Sequence, residues 1–254
     1  MSLELVQFAF SHYNEKARWA LDYKGLAHRR RSLLPGPHVP VVKRLTGKTE
    51  TPVLIADGQV IAGSAAIIDF LEAEHPSPAL YPALPEWRRK ALEVQRFFDE
   101  EIGAEARRAF FLEFLADGGY AARCIADAFG GVTRALYGLG FPITRMIMRK
   151  QMELRPEFFD QACAAVRRGL DFVAENAGPD GFLVGDAFSV ADLTAASLLQ
   201  LVAFPPEAMR LPEPRSKALK GWLERWQDHP GTAWVIQTYR VHRSPSAALV
   251  ADDS

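Results

Sequence analysis

A proline at the head of a strand is what most restricts this chain. Thr51-Pro52 opens the apolar run PVLIA, Asp57-Gly58 follows, and QVIA comes next. That pattern predicts a β-hairpin closed by a type I′ turn. Proline cannot donate to a sheet ladder, so a hairpin that begins with one needs a reason. An ordinary trans proline at a strand's first residue is one reading. The other is a cis bond that turns the carbonyl and amide of Thr51 outward to pair with an extended peptide ligand.

Two further segments flank the hairpin. LVQFAF is an apolar run of strand length, and Ala17, Ala20, Leu21 and Lys24 continue Tyr13 at helical spacing, so a strand, a tight turn and a helix are expected. Ser11 sits at that junction. It is either a cap for orphan amides or a hydroxyl donor at a helix start, where amides and dipole favour a negative charge and lower the pKa of a thiol held there. Tyr13 and Asn14 are alternative donors on the same turn. In GSAAIIDFLE, Gly63-Ser64 precede Ile67, Ile68, Phe70 and Leu71. They read as a plain cap or as a carboxylate site made of free amides and the Ser64 hydroxyl.

The order strand, helix, strand, loop, proline-led hairpin, helix, carrying these residues, resembles the amino-terminal domain of the glutathione transferase family over about the first third of the chain. The resemblance implies an α/β plus all-α protein, with a thioredoxin-like domain over residues 1–78 and an all-helical domain over 88–242. It implies glutathione as co-substrate, with no metal. Ser11 matches the active serine or cysteine of such proteins and would stabilise the thiolate. Thr51 and Pro52 match the pair that docks the cysteinyl backbone, and Ser64 matches the serine that holds the γ-glutamyl carboxylate. Gly63 is a departure, because the family usually has glutamate, aspartate or glutamine there. His38 and Glu101 are additional candidates. The acidic group Asp99, Glu100 and Glu101, on the helix that in the family lines a two-fold interface, is either a solvated helix face or the source of a carboxylate that reaches the site of the neighbouring subunit in a homodimer.

The implied activity is a detoxifying conjugation, in which the glutathione thiolate attacks an electrophilic carbon in a hydrophobic acceptor site. A glutathione-dependent isomerase or peroxidase and a non-catalytic binding module are the alternatives. The two cysteines, Cys124 and Cys163, lie in apolar helical surroundings away from the SHYN turn, so a mixed disulfide through the protein is not expected. They provide no disulfide framework, and neither a signal peptide nor a stretch long enough to span a bilayer is visible; the expectation is cytoplasmic. A net charge of −1 over 254 residues argues against nucleic acid as a partner. The basic group at His28, Arg29, Arg30 and Arg31 is expected on an edge strand, where charge discourages pairing with other sheets.

After the proline-rich HPSPALYPALPE the alternating pattern stops. Helices are expected at about 87–116, 120–138, 142–153, 156–176, 189–202, 215–229 and 231–242, followed by a disordered tail. Ser189 and Asp192 form a capping box with Phe188 stapled onto Leu193, a structural element. The second substrate is sought between Ala109 and Met152. Within it, GFPITRMIMRKQM is a short basic and apolar helix that roofs the acceptor site, joins a subunit interface or, least favoured, lies on a membrane.

Overall fold

The computed structural model describes residues 1–209, 211–213 and 215–249. Its first part is thioredoxin-like. Strand β1 (Leu3–Gln7) leads into helix α1 (His12–Tyr23), then β2 (Arg29–Ser32), α2 (Val39–Thr46), β3 (Val53–Ala56), β4 (Gln59–Ala62) and α3 (Ser64–Glu74). The sheet order is β2-β1-β3-β4, with β2 parallel to β1 and the others antiparallel. The hairpin forms as the sequence predicts. Asp57 (φ 46°) and Gly58 (φ 90°) both occupy the left-handed region that a type I′ turn requires. The Thr51-Pro52 bond is cis, as is Ser77-Pro78.

β2 is an edge strand, as its basic run suggests, yet two of those residues are committed inward. Arg30 pairs with the buried Asp22 at 2.7 Å, and His28 is wholly buried.

The helical part comprises α4 (Pro85–Phe97), α5 (Gly103–Phe114), α6 (Gly118–Ile125), α7 (Gly131–Gln151), α8 (Phe159–Asn176), α9 (Val190–Ala203), α10 (Lys217–Trp226) and α11 (Pro230–His242). Helix α9 starts at the expected capping box: Asp192 accepts from the Ser189 amide at 2.9 Å, and the Ser189 side chain accepts from Ala191. Every residue of α9 but its last is buried, so it forms the central rod of this part. Phe10 from the sheet domain stacks on Phe114 at 4.9 Å and meets Phe110 and Phe111. Each buried phenyl contributes about 2 kcal/mol by leaving water.

Three expectations need correction. The helix expected over 87–116 is interrupted by a π turn at Phe98–Ile102; the periodicity of apolar residues on either side hides a single inserted residue. The two helices expected over 120–138 and 142–153 are divided elsewhere. The break falls at 126–130, and α7 then runs through Gly138, Gly140 and Pro142 as one helix of 21 residues. Tyr137, Phe141 and Met148, on one face, anchor it, and this burial outweighs the local cost of glycine and proline. The opposite face carries Val132, Leu136, Leu139, Ile143 and Met146, each at least 65 % exposed.

The tail is the third correction, since residues 243–249 are docked while 250–254 lie outside the described residues. The Arg243 guanidinium reaches Glu15 at 2.7 Å and Asp22 at 2.9 Å, both buried in α1. The Ala247 amide donates to Asp22, and Leu249 donates to the His28 carbonyl.

Candidate active site

Helix α1 begins at the turn that the sequence singled out. Ser11 is its N-cap, with extended backbone, and its Oγ accepts from the Asn14 side-chain amide at 2.7 Å and more weakly from the Asn14 backbone at 3.4 Å. Asn14 is almost completely buried. Its Oδ1 accepts from the Phe8 amide, which can only donate, so its Nδ2 must face the two hydroxyls of Ser11 and Thr51. The Asn14 amide is therefore spent on holding Ser11 and Thr51 together, at 2.7 and 3.1 Å.

Ser11 and Thr51 stand on the wall of a cavity of about 390 Å³ between the two parts of the chain. The sheet side adds Phe8, Tyr13, Gly36, His38 and Glu50; the helical side adds Arg107, Phe111, Thr144, Ile147, Met148 and Met152. Of the segment 138–152, Ile147 and Met148 cover this space from the helical side.

The remaining expected residues are placed less uniformly. Tyr13 lines the cavity, but its hydroxyl donates to the Asp99 carbonyl at 2.8 Å, and burial pushes the phenol up to about 12. It is a docking group for the π turn. His38 is buried on the cavity wall; its Nδ1 accepts from Gly36 at 3.1 Å, and burial lowers its pKa, which leaves the ring neutral. Pro52 is buried and its carbonyl accepts from Gly63 at 2.9 Å. Gly63 and Ser64 do not line the cavity. Gly63 is exposed, with φ of 96°, a conformation side chains rarely adopt, and Ser64 is buried at the first position of α3. Glycine at 63 thus serves the backbone, whatever a side chain there would contribute to a ligand.

The acidic group on the π turn also divides. Asp99 is not free to serve another subunit, because it pairs with the fully buried Lys16 at 2.7 Å. Glu100 and Glu101 are exposed. The cysteines carry no activated thiol: burial raises Cys124 to about 11 and raises Cys163 as well.

Sequence reasoning missed two residues here. His12 is buried, meets the Gly103 carbonyl at 2.9 Å and is held neutral, its pKa lowered to about 3 by burial and then by Arg107. Arg107 had a visible signal. Gly103, Arg107 and Phe111 recur every four residues, so the arginine lies on the stripe that α5 buries.

Comparison with known proteins addresses the family and the fold. Residues 5–79 match the family model for the glutathione S-transferase N-terminal domain, and residues 156–225 match that for the C-terminal domain. No curated protein sequence matched. Among solved structures, a glutathione S-transferase from Methylobacterium radiotolerans in complex with glutathione sulfonate is 21 % identical, covers 100 % of both chains and superposes with a TM-score of 0.60. A beta-etherase from Sphingobium sp. is 20 % identical over 93 % of this chain and 99 % of its own, with a TM-score of 0.62. A glutathione S-transferase from Rhodospirillum rubrum is 22 % identical over 96 % of each chain, with a TM-score of 0.55. These likenesses concern the fold. With a match at each end that together take in more than half of the residues, the chain belongs to the glutathione S-transferase family.

Proposed function

We propose that this protein conjugates glutathione to a small electrophile, with Ser11 as the residue that holds the thiolate. The observation that carries the reading is the polarity of the Ser11 hydroxyl. Its oxygen already accepts from Asn14, so its own hydrogen is left to donate, and the side chain stands on the cavity wall. A sulfur placed there would receive that O–H bond at the start of α1, where the helix dipole adds a favourable field. Thr51, on the same wall, offers its main chain to the cysteinyl unit.

The thiolate then attacks an electrophilic carbon held against Phe111, Ile147 and Met148. Activation of the thiol and positioning of the acceptor supply the catalysis. Glutathione is the co-substrate, and the reading includes a cytoplasmic two-fold dimer in which the exposed Glu100 or Glu101 serves the neighbouring site.

Calorimetric titration with millimolar glutathione, followed by spectroscopic titration of the bound thiol in wild type and Ser11→Ala, is the test. The expected result is binding, a thiol pKa below that of free glutathione, and loss of most of that depression in the variant. The same change should lower kcat/KM roughly tenfold or more, the usual worth of one hydrogen bond to a charged group. No binding at millimolar ligand would point to a non-catalytic module. Binding with a thiol titration unchanged by Ser11→Ala would remove Ser11 from the role.

A further inference from the structure

Arg107 is the cation of the cavity wall, and no carboxylate among the described residues pairs with it; the nearby Glu105 is taken by Arg108. Among the described residues it makes no ion pair and no hydrogen bond, and its Nε is buried without a partner. Its neighbours in the fold are treated differently: Arg18, Arg30, Arg108 and Arg243 are each paired with a carboxylate. Arg107 is half-buried with its Nε fully buried, and a guanidinium so placed without a carboxylate is costly; such groups are normally matched by an anion. Burial lowers its pKa, as desolvation of an unpaired cation must.

The surroundings specify what an anion bound to Arg107 would be attached to. The helical wall that carries Arg107 also carries Phe111, Ile147 and Met148, an apolar surface that suits carbon, while His12 and Tyr13 of α1 lie within electrostatic reach of the guanidinium. The two histidines of the facing, sheet-side wall, His12 and His38, are held neutral by burial and do not compete for an anion. Glu50, the carboxylate of the sheet-side wall, is exposed at its rim and accepts from the Thr49 amide at 3.1 Å.

The geometry points to an acceptor that is apolar in body and carries a carboxylate, with Arg107 as the residue that selects it. This rests on the reading above, in which glutathione lies along the sheet-domain wall with its sulfur at Ser11. Arg107 belongs to α5, on the opposite wall, where the acceptor must lie. A planar guanidinium can take both oxygens of a carboxylate at once, which also fixes the orientation of the electrophile toward the sulfur.

The experiment compares two acceptors of equal reactivity class, 4-chloro-3,5-dinitrobenzoate and its methyl ester. In each, the thiolate forms a C–S bond at the ring carbon, and the C–Cl bond breaks as chloride leaves with its electron pair. With rates corrected for the uncatalysed reaction, wild type should favour the acid over the ester by about tenfold or more in kcat/KM. Arg107→Met should bring that ratio close to one, mostly through KM for the acid, and Arg107→Lys should restore part of it. A wild-type ratio near one overturns the proposal without any variant. So does a variant in which the ratio is kept while glutathione affinity or the thiol pKa changes, since Arg107 would then serve glutathione. Equilibrium binding of the acid and ester to the protein without glutathione, read by tryptophan fluorescence, separates this idea from the transferase reading. If neither acceptor is turned over, a tenfold preference for binding the acid that Arg107→Met removes still supports the anion site, and equal binding sinks it.

Discussion

Asn14 determines which way the Ser11 hydroxyl can point. Its amide donates to Ser11 and Thr51 while its carbonyl is held by the Phe8 amide, so the serine is an acceptor on the protein side and a donor on the cavity side. Asn14→Asp replaces the donor by a carboxylate that accepts from Ser11, which turns the hydroxyl away from the cavity. We expect this variant to raise the pKa of bound glutathione and cost roughly tenfold in kcat/KM. Thiol titration checks it; a depression of wild-type size in Asn14→Asp would show that the hydroxyl's polarity is irrelevant. His12 gives a second residue-scale expectation. Its ordinary pKa near 6.5 falls to about 3 in the fold, so below pH 6.5 the unfolded chain takes up a proton that the folded chain refuses. Stability is therefore lost as pH falls from about 6.5 toward 3, and at pH 5 this one group removes about 2 kcal/mol. Urea unfolding of wild type and His12→Gln at pH 7 and pH 5 should show a smaller acid loss in the variant; parallel losses would reject the assignment. At this scale the turn of Ser11 and the cis bond after Thr51, both on the cavity wall, were legible, because serine at a strand-to-helix turn and proline at a strand head are local signals. It could not show Asn14 as the clamp, since its partners are 3, 6 and 37 residues away along the chain.

Between α4 and α5 the π turn places carbonyls where the first domain can use them. Tyr13 donates to Asp99 and His12 meets Gly103, so the turn is a docking surface for the start of α1. Gly103 permits the approach: a Cβ there would stand 2.5 Å from the Tyr13 hydroxyl and 2.9 Å from Leu198. Gly140, on the open side of α7, has no atom within 4 Å of the same position. Gly103→Ala should therefore destabilise by about 2 kcal/mol through overpacking, whereas Gly140→Ala should stabilise by about 0.5 to 1 kcal/mol. Denaturant midpoints measure both, and equal shifts of one sign would refute the contrast. The existence of these helices is legible in the apolar periodicity of the sequence. Their interruptions escaped because each is decided by tertiary partners: Tyr13 for the π turn, and the anchors Tyr137, Phe141 and Met148 for the continuity of α7 past Pro142.

For the whole molecule, the change from alternating to helical patterning after residue 87 was legible, as was the cap that starts the buried α9. How the parts hold one another was not. Lys16 of α1 pairs with Asp99 of the π turn, and Arg243 pairs with Glu15 and Asp22; the residues involved are charged, and charge in a sequence reads as surface. Arg243→Ala would leave two buried carboxylates short of a cation, for a loss of about 3 kcal/mol. Thermal or urea unfolding measures it, and a change below about 0.5 kcal/mol would mean that Arg18 and Arg30 suffice. The docked tail also bears on synthesis. A ribosome delivers Glu15 long before Arg243, which follows 228 residues later, on the order of tens of seconds at ordinary elongation rates. The domain made first is thus completed last: until Arg243 emerges and docks, the buried Glu15 and Asp22 of its first helix rely on Arg18 and Arg30 for their counter-charge.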